Sequence, residues 1–197
     1  MNSQTCKENQ NSNPQNSLRL SGITWEQFKK LENSFHAVAG ARLIYLDGVL
    51  EIVILGREHE YYKRTISLLL EAYLRKKGIR FYSQGSASLG NKELIVQKEP
   101  DESYSIGIEK SIPDLVIEVV VSSGSVNILE IYQRIGISEV WLWEDGLLKV
   151  FSLQERYQEV KQSRLFPKLD LNVLAKYIRY YDQYDAVTEF LRELSLG

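Results

Sequence analysis

Glu118 is the one charge in Leu115-Val116-Ile117-Glu118-Val119-Val120-Val121, a run that otherwise reads as core. An ionised carboxylate buried without a partner costs at least several kcal/mol. Something must compensate it: a metal, a basic partner or an opening to solvent. Pairing with a lysine or arginine is the structural reading of Glu118. A metal ligand or an acid/base group is the functional one. Asp114 lies on the same strand face, because side chains alternate, but four residues earlier. At strand rise that separates the two Cα atoms by roughly 13 Å, too far to share one metal directly. Asp114 follows Pro113, so it also reads as a turn residue that begins the strand. Asp101 sits in a second Pro-Asp pair, Pro100-Asp101. Neighbouring strands run about 4.8 Å apart, so a residue on the next strand can approach Glu118 closely. Two carboxylates with a backbone carbonyl and waters suit Mg²⁺ or Mn²⁺. Such a metal activates water and stabilises a phosphodiester transition state. Glu60, in the first turn of a long helix, either complements the helix dipole or joins that group.

Other chemistries are excluded. The chain has only two histidines, His36 and His59, and one cysteine, Cys6. A multi-histidine site, a disulfide framework and a cysteine zinc site are therefore all ruled out. There is no G-x-S-x-G elbow and no phosphate-binding glycine pattern. The formal net charge is −2, so any nucleic-acid contact must come from a local basic patch. No apolar stretch reaches the roughly 20 residues of a membrane helix. Without an apolar signal segment, the expected setting is the cytoplasm, with no membrane partner.

The elements that must position these residues follow from pattern. At 197 residues the chain suits one domain. Residues 1–17, rich in Asn, Gln and Ser, predict a disordered leader, leaving 18–197 as a single domain. Thr24 and Gln27 read as a capping box for a helix from Trp25 to about Asn33. Asp47-Gly48 predicts a hairpin between Ala41–Leu46 and Val49–Leu55. A long amphipathic helix is predicted over about Glu58–Lys77, stopped by Gly78. Short strands are expected at Ile79–Tyr82, Leu94–Val96 and Tyr104–Ile108. Leu115–Val121 reads as a central strand covered on both faces. It is followed by a helix over about Val126–Ile135, capped by Ser122–Ser125 and closed by Gly136. Val140–Trp143 completes a β-α-β unit with a right-handed crossover. Further strands are expected at Leu147–Leu153 and Tyr157–Val160, then helices at Leu171–Tyr181 and Ala186–Leu194. Trp141 and Trp143 share one strand face and read as packing.

Several stretches occur together in a familiar order. They are Tyr45-Leu46-Asp47-Gly48-Val49-Leu50-Glu51-Ile52, Arg57-Glu58-His59-Glu60 and Glu99-Pro100-Asp101-Glu102-Ser103-Tyr104. Then come Pro113-Asp114-Leu115-Val116-Ile117-Glu118-Val119-Val120, Leu129-Glu130-Ile131-Tyr132-Gln133-Arg134-Ile135-Gly136 and Glu139-Val140-Trp141-Leu142-Trp143. Across roughly residues 20–178 the chain resembles the Uma-type restriction endonuclease family of the PD-(D/E)XK nuclease superfamily, first grouped as a domain of unknown function. The resemblance implies an α/β (α+β) fold, a restriction endonuclease-like mixed β-sheet flanked by helices. It implies a divalent metal site, Mg²⁺ or Mn²⁺, on Asp101 and Glu118; in the endonuclease reading of these residues Glu60 joins from the helix and Asp114 orients the shell. DNA is then the substrate, and a homo-oligomer, such as a dimer, the expected assembly.

The resemblance also implies a lysine, either two residues after the glutamate or in the following helix. Those positions here are Val120 and Ile128. Loss of one such electrostatic group costs on the order of 10²–10³ in rate. Two readings follow: a Mg²⁺-dependent DNA endonuclease impaired at Ile128, or a catalytically degenerate nuclease fold serving as a binding or assembly module.

Overall fold

The computed structural model describes residues 17–120 and 126–196. Residues 1–16, nearly all of the expected leader, and the predicted Ser122–Ser125 cap lie outside that range. Ser17 itself opens a strand, β1 (Ser17–Ser21), which the sequence pattern does not announce. Helix α1 (Trp25–Phe35) begins at the predicted capping box, with Thr24 and Gln27 bonding each other's backbone. The hairpin forms as β2 (Ala41–Leu46) and β3 (Val49–Ile54), paired from Ala41↔Ile54 to Leu46↔Val49. Its turn residues Asp47 and Gly48 both have positive φ, 48° and 80°, which is why Asp-Gly stands there. Helix α2 (Arg57–Lys76) carries Ile66, Leu69, Leu70, Tyr73 and Leu74 on one buried stripe.

Of the four strands between α2 and the centre, three lie one or two residues from their predicted bounds, and the one at Leu89–Asn91 was not predicted as a strand. The four are β4 (Phe81–Ser83), β5 (Leu89–Asn91), β6 (Val96–Lys98) and β7 (Glu102–Ile106). Ile95 takes a positive φ of 54° in the turn before β6, which delays that strand from Leu94 to Val96. β8 (Leu115–Val120) is central, and α3 (Ile128–Ile135) follows it with Asn127 as its cap. Then come β9 (Glu139–Glu144), β10 (Leu147–Leu153), β11 (Tyr157–Val160), α4 (Leu171–Ile178) and α5 (Gln183–Leu196). No helix among the described residues is long and apolar enough to cross a membrane.

The expected mixed sheet is present, with six strands in the order β11-β10-β9-β8-β7-β4. Only β8 and β9 run parallel, joined through α3, and the remaining pairs are antiparallel. A second sheet was not predicted. It is antiparallel throughout, in the order β1-β3-β2-β6-β5. Alternation along β8 divides the core. Leu115, Ile117 and Val119 pack with Trp141, Trp143 and the α2, α4 and α5 side chains. Val116 faces the other way, with Val140, Leu142, α3 residues and Ile44, Leu89 and Val96 of the second sheet. Glu118 shares the parity of Val116, so it enters the layer between the sheets.

Candidate active site

The β7–β8 register brings the two predicted ligands together. Glu102 stands opposite Ile117 in this antiparallel pair, so Asp101, one residue earlier, comes opposite Glu118. Directly opposed residues point to the same face. A side-chain bond fastens this arrangement: the Val119 amide donates to Asp101 Oδ2 at 2.7 Å. Asp101 and Glu118 are only 5% and 4% exposed, so both carboxyls sit almost out of water.

Two basic side chains reach them. His59, 2% exposed at the start of α2, sets its Nε2 2.9 Å from Asp101 Oδ2. Lys98, at the end of β6 and 6% exposed, sets its Nζ 3.0 Å from Glu118 Oε2. The Tyr132 hydroxyl of α3 donates to Glu118 Oε1. Four elements from both sheets and both helical layers thus converge: α2, the β6–β7 crossing, β8 and α3. Only Glu99 and Pro100 separate Lys98, in one sheet, from Asp101, at the edge of the other.

Burial and charge set how these groups titrate. Burial pushes Glu118 up, the Lys98 charge pulls it back, and the Asp101 charge raises it again; the balance leaves it at about 7. Burial likewise acts upward on Asp101, but the His59 hydrogen bond and the Lys98 charge outweigh it and hold the carboxyl below its ordinary range. Burial would lower His59, yet its bond to Asp101 and the charges of Asp101 and Glu60 leave it above its ordinary value. Burial and the Glu118 charge keep the Tyr132 hydroxyl protonated far into alkali. Glu118 is the group poised near neutrality, while Asp101 is held ionised.

Glu60 and Asp114 do not join this cluster. Glu60 is 55% exposed, 3.9 Å from Lys63, and lies 3.4 Å from His59 Nδ1 without hydrogen-bond geometry. Asp114 accepts from the Ile106 amide at 2.8 Å and pairs with Lys110 at 2.6 Å, holding the turn that feeds β8. Among the described residues two other carboxylates are buried, and each is satisfied without a cation. Glu51 accepts the Val126 amide. Glu139 takes Trp141 Nε1, Ser163 Oγ and the Arg164 amide. A basic side-chain partner, His59 or Lys98, thus distinguishes Asp101 and Glu118 from the other buried carboxylates.

Lys98, Tyr132 and His59's contact with Asp101 escape a reading of the sequence alone. Lys98 ends a strand of only three residues, in a stretch too short for periodicity to assign its face. Tyr132 carries the helical period of α3 and reads as core, which it also is. His59 stands beside Glu60 in the motif-like Arg57-Glu58-His59-Glu60, and the residue type with a movable proton was the signal available there.

The donor set fits a hard divalent cation. Mg²⁺ is commonly held by one or two carboxylates, with waters completing its shell. Among the described residues no donor is directed at Asp101 Oδ1, and no group of three or more His, Cys, Asp or Glu side chains is arranged to hold a metal ion. Asp101 and Glu118, with waters, are the residues that would hold it.

A family model described as "Putative restriction endonuclease", Uma2, matches residues 25–178. The chain belongs to the Uma2 family. Both carboxylates, Lys98, His59 and Tyr132 lie inside the matched range. No curated protein matches the chain. Among solved structures, the chain is similar to "a putative nuclease belonging to DUF820" from Anabaena variabilis, at 16% identity and a TM-score of 0.47. That likeness covers 69% of this chain and 90% of the other.

Proposed function

We propose that this Uma2 chain is a metal-dependent DNA endonuclease, with Mg²⁺ or Mn²⁺ held by Asp101 and Glu118. The observation that carries the reading is the facing of these two buried carboxylates across β7 and β8. A divalent cation there supplies Lewis-acid stabilisation of the phosphate and a more acidic water. The chain's own residues prepare the site for it. His59 and the Val119 amide fix Asp101 in one rotamer and keep it ionised. Tyr132 fixes Glu118 from the α3 side. The apolar layers on both faces of β8 lower the local dielectric, which strengthens every charge interaction inside.

Hydrolysis adds one water across a P–O bond. The water oxygen bonds to phosphorus as the bond to the leaving oxygen breaks. One water proton ends on the leaving oxygen and the other leaves with the phosphomonoester or passes to solvent. The degenerate-module reading rests on the missing lysine, with Val120 and Ile128 at the two expected positions, and on the net charge of −2; Ile128 packs partly buried against the layer between the sheets. Lys98 beside Glu118 weakens that reading, because an ammonium is present in the cluster despite Ile128.

The test is cleavage of supercoiled plasmid and of single-stranded DNA with Mg²⁺ or Mn²⁺, using Glu118→Ala as control. Metal-dependent cleavage by the parent, absent from the variant, is expected. Parent protein indistinguishable from Glu118→Ala in both metals would sink the endonuclease reading.

A further inference from the structure

We propose that Lys98 is the catalytic lysine of this chain, delivered from the strand before Pro100-Asp101 and not from the helix after Glu118. The inference rests on the endonuclease reading and names the residue that interacts with the scissile phosphate.

Three observations carry it. The first is position. Lys98 Nζ lies 3.0 Å from Glu118 Oε2, and its side chain is 7% exposed. The β6–β7 crossing therefore aims an ammonium at the metal-ligand pair. An ammonium has three N–H donors. One reaches Glu99 O at 3.3 Å and a second serves the ion pair with Glu118. Among the described residues the third has no acceptor, so it is available to a phosphate oxygen.

The second is the relation to Ile128. Ile128 and Tyr132 are four residues apart on α3, so they share a helix face one turn apart. Tyr132 touches Glu118, so position 128 lies one helical turn from the residue that bonds this carboxylate. Lys98 reaches Glu118 from β6, and an ammonium introduced at 128 would start one turn away on α3. In this chain the α3 position is apolar and the β6 position is charged.

The third is energetic. A buried ion pair gains little over well-packed apolar residues of similar volume, because both ions must be desolvated. Here two carboxylates, a lysine and a histidine are all taken out of water together. A structural role alone does not call for that cluster; a site that must hold charge on a phosphate does. In the hydrolytic step Lys98 donates hydrogen bonds to a non-bridging phosphate oxygen as negative charge grows on it.

The experiment compares Lys98→Met and the relocation variant K98I/I128K with the parent, on plasmid DNA with Mn²⁺. Metal affinity is followed by calorimetry and folding by thermal midpoint. Lys98→Met is expected to lose about 10²–10³ in kcat, with KM and Mn²⁺ affinity close to the parent and the chain still folded at the assay temperature. K98I/I128K, which moves the ammonium to α3, is expected to recover at least about tenfold over Lys98→Met. Lys98→Met cleaving within about threefold of the parent overturns the proposal, given the roughly 10² loss expected. So does a loss of kcat matched by loss of Mn²⁺ affinity or of folding, which marks a purely structural pair. A relocation variant no better than Lys98→Met overturns it too. A parent that does not cleave at all instead overturns the endonuclease reading on which the proposal rests.

Discussion

Two acid–lysine pairs sit at the two ends of β8, and they differ in almost everything but composition. At the entrance, Asp114 meets Lys110 at 2.6 Å, with the lysine side chain 38% exposed. Near the exit, Glu118 meets Lys98 at 3.0 Å, with both side chains under a tenth exposed. The first pair is local, four residues apart in sequence, and it closes a turn. The second joins two sheets and lies beside a further buried carboxylate. Water screens the first pair, so it contributes little. In the second pair burial dominates: it lifts Glu118 to about 7 against the pull of the Lys98 charge, while the His59 bond and the Lys98 charge hold Asp101 ionised. Pro-Asp and strand-Glu look alike as acidic residues on one face; burial is what separates a turn fastener from a group that titrates near neutrality.

The sharpest way to break the comparison is substitution at both ends. Glu118→Gln keeps shape and removes the charge, and metal-dependent cleavage should fall by at least about 10². Asp114→Asn should leave kcat nearly unchanged and cost about 1 kcal/mol of stability from weakened bonds to Ile106 and Lys110. Plasmid cleavage and urea melts decide it. An Asp114→Asn variant as inactive as Glu118→Gln would show that both ends of β8 serve the chemistry.

A smaller effect is expected at His59. His59→Phe removes one of the two donors on Asp101 Oδ2 and the positive partner beside it. Mn²⁺ affinity should fall by about 10–100-fold, as for other residues that orient a ligand. Unchanged affinity by calorimetry would reduce His59 to a packing residue.

The pH dependence of stability sharpens the same contrast. Glu118 is raised when folded, so the native state binds more protons than the unfolded chain between its ordinary value and about 7. Stability from this group therefore falls as pH rises across that window. His59 is also raised; its contribution is present below its ordinary value and lost as pH climbs through the folded value. Asp101 is lowered, so its contribution is lost only in acid, as pH falls through its folded value. Thermal midpoints measured without metal between about pH 5 and pH 8 should decline toward the upper end. Glu118→Gln should flatten that decline. A decline of the same slope in the variant would assign it to groups other than Glu118.

The smallest change is expected at Lys110. Lys110→Met removes the half-exposed partner of Asp114 and should alter stability by less than about 1 kcal/mol, with cleavage intact. A larger shift in the denaturation midpoint would show that the entrance pair is less screened than its exposure implies.

Much of this arrangement was legible in the residues themselves. The capping box at Thr24, the Asp-Gly hairpin, the α2 stripe and the β8 strand all rest on local rules, and each formed within a few residues of its expected bounds. Glu118 drew attention because a charge in an apolar strand demands a partner, and Asp101 because the following strand could carry it to Glu118. The limits of local reading show at β6. Ile95 turns through positive φ and displaces the strand by two residues, so Lys98 falls inside it and Leu94 outside.

The sequence by itself determined most of the elements, the central strand and the two carboxylates whose burial would need compensation. Only the tertiary structure decided what compensates them. Lys98, His59 and Tyr132 come from β6, α2 and α3, which are separated from Glu118 by 20, 59 and 14 residues in the chain. Their meeting depends on the packing of one sheet against another and on the α2 and α3 helices that cover them. No periodicity encodes such contacts, because helix and strand patterns report which face is buried and not which side chain waits on the other side. The lysine expected on α3 is absent there and an ammonium stands beside Glu118 from β6 instead, because proximity to a carboxylate is a property of the folded layers, open to any position that they bring within reach.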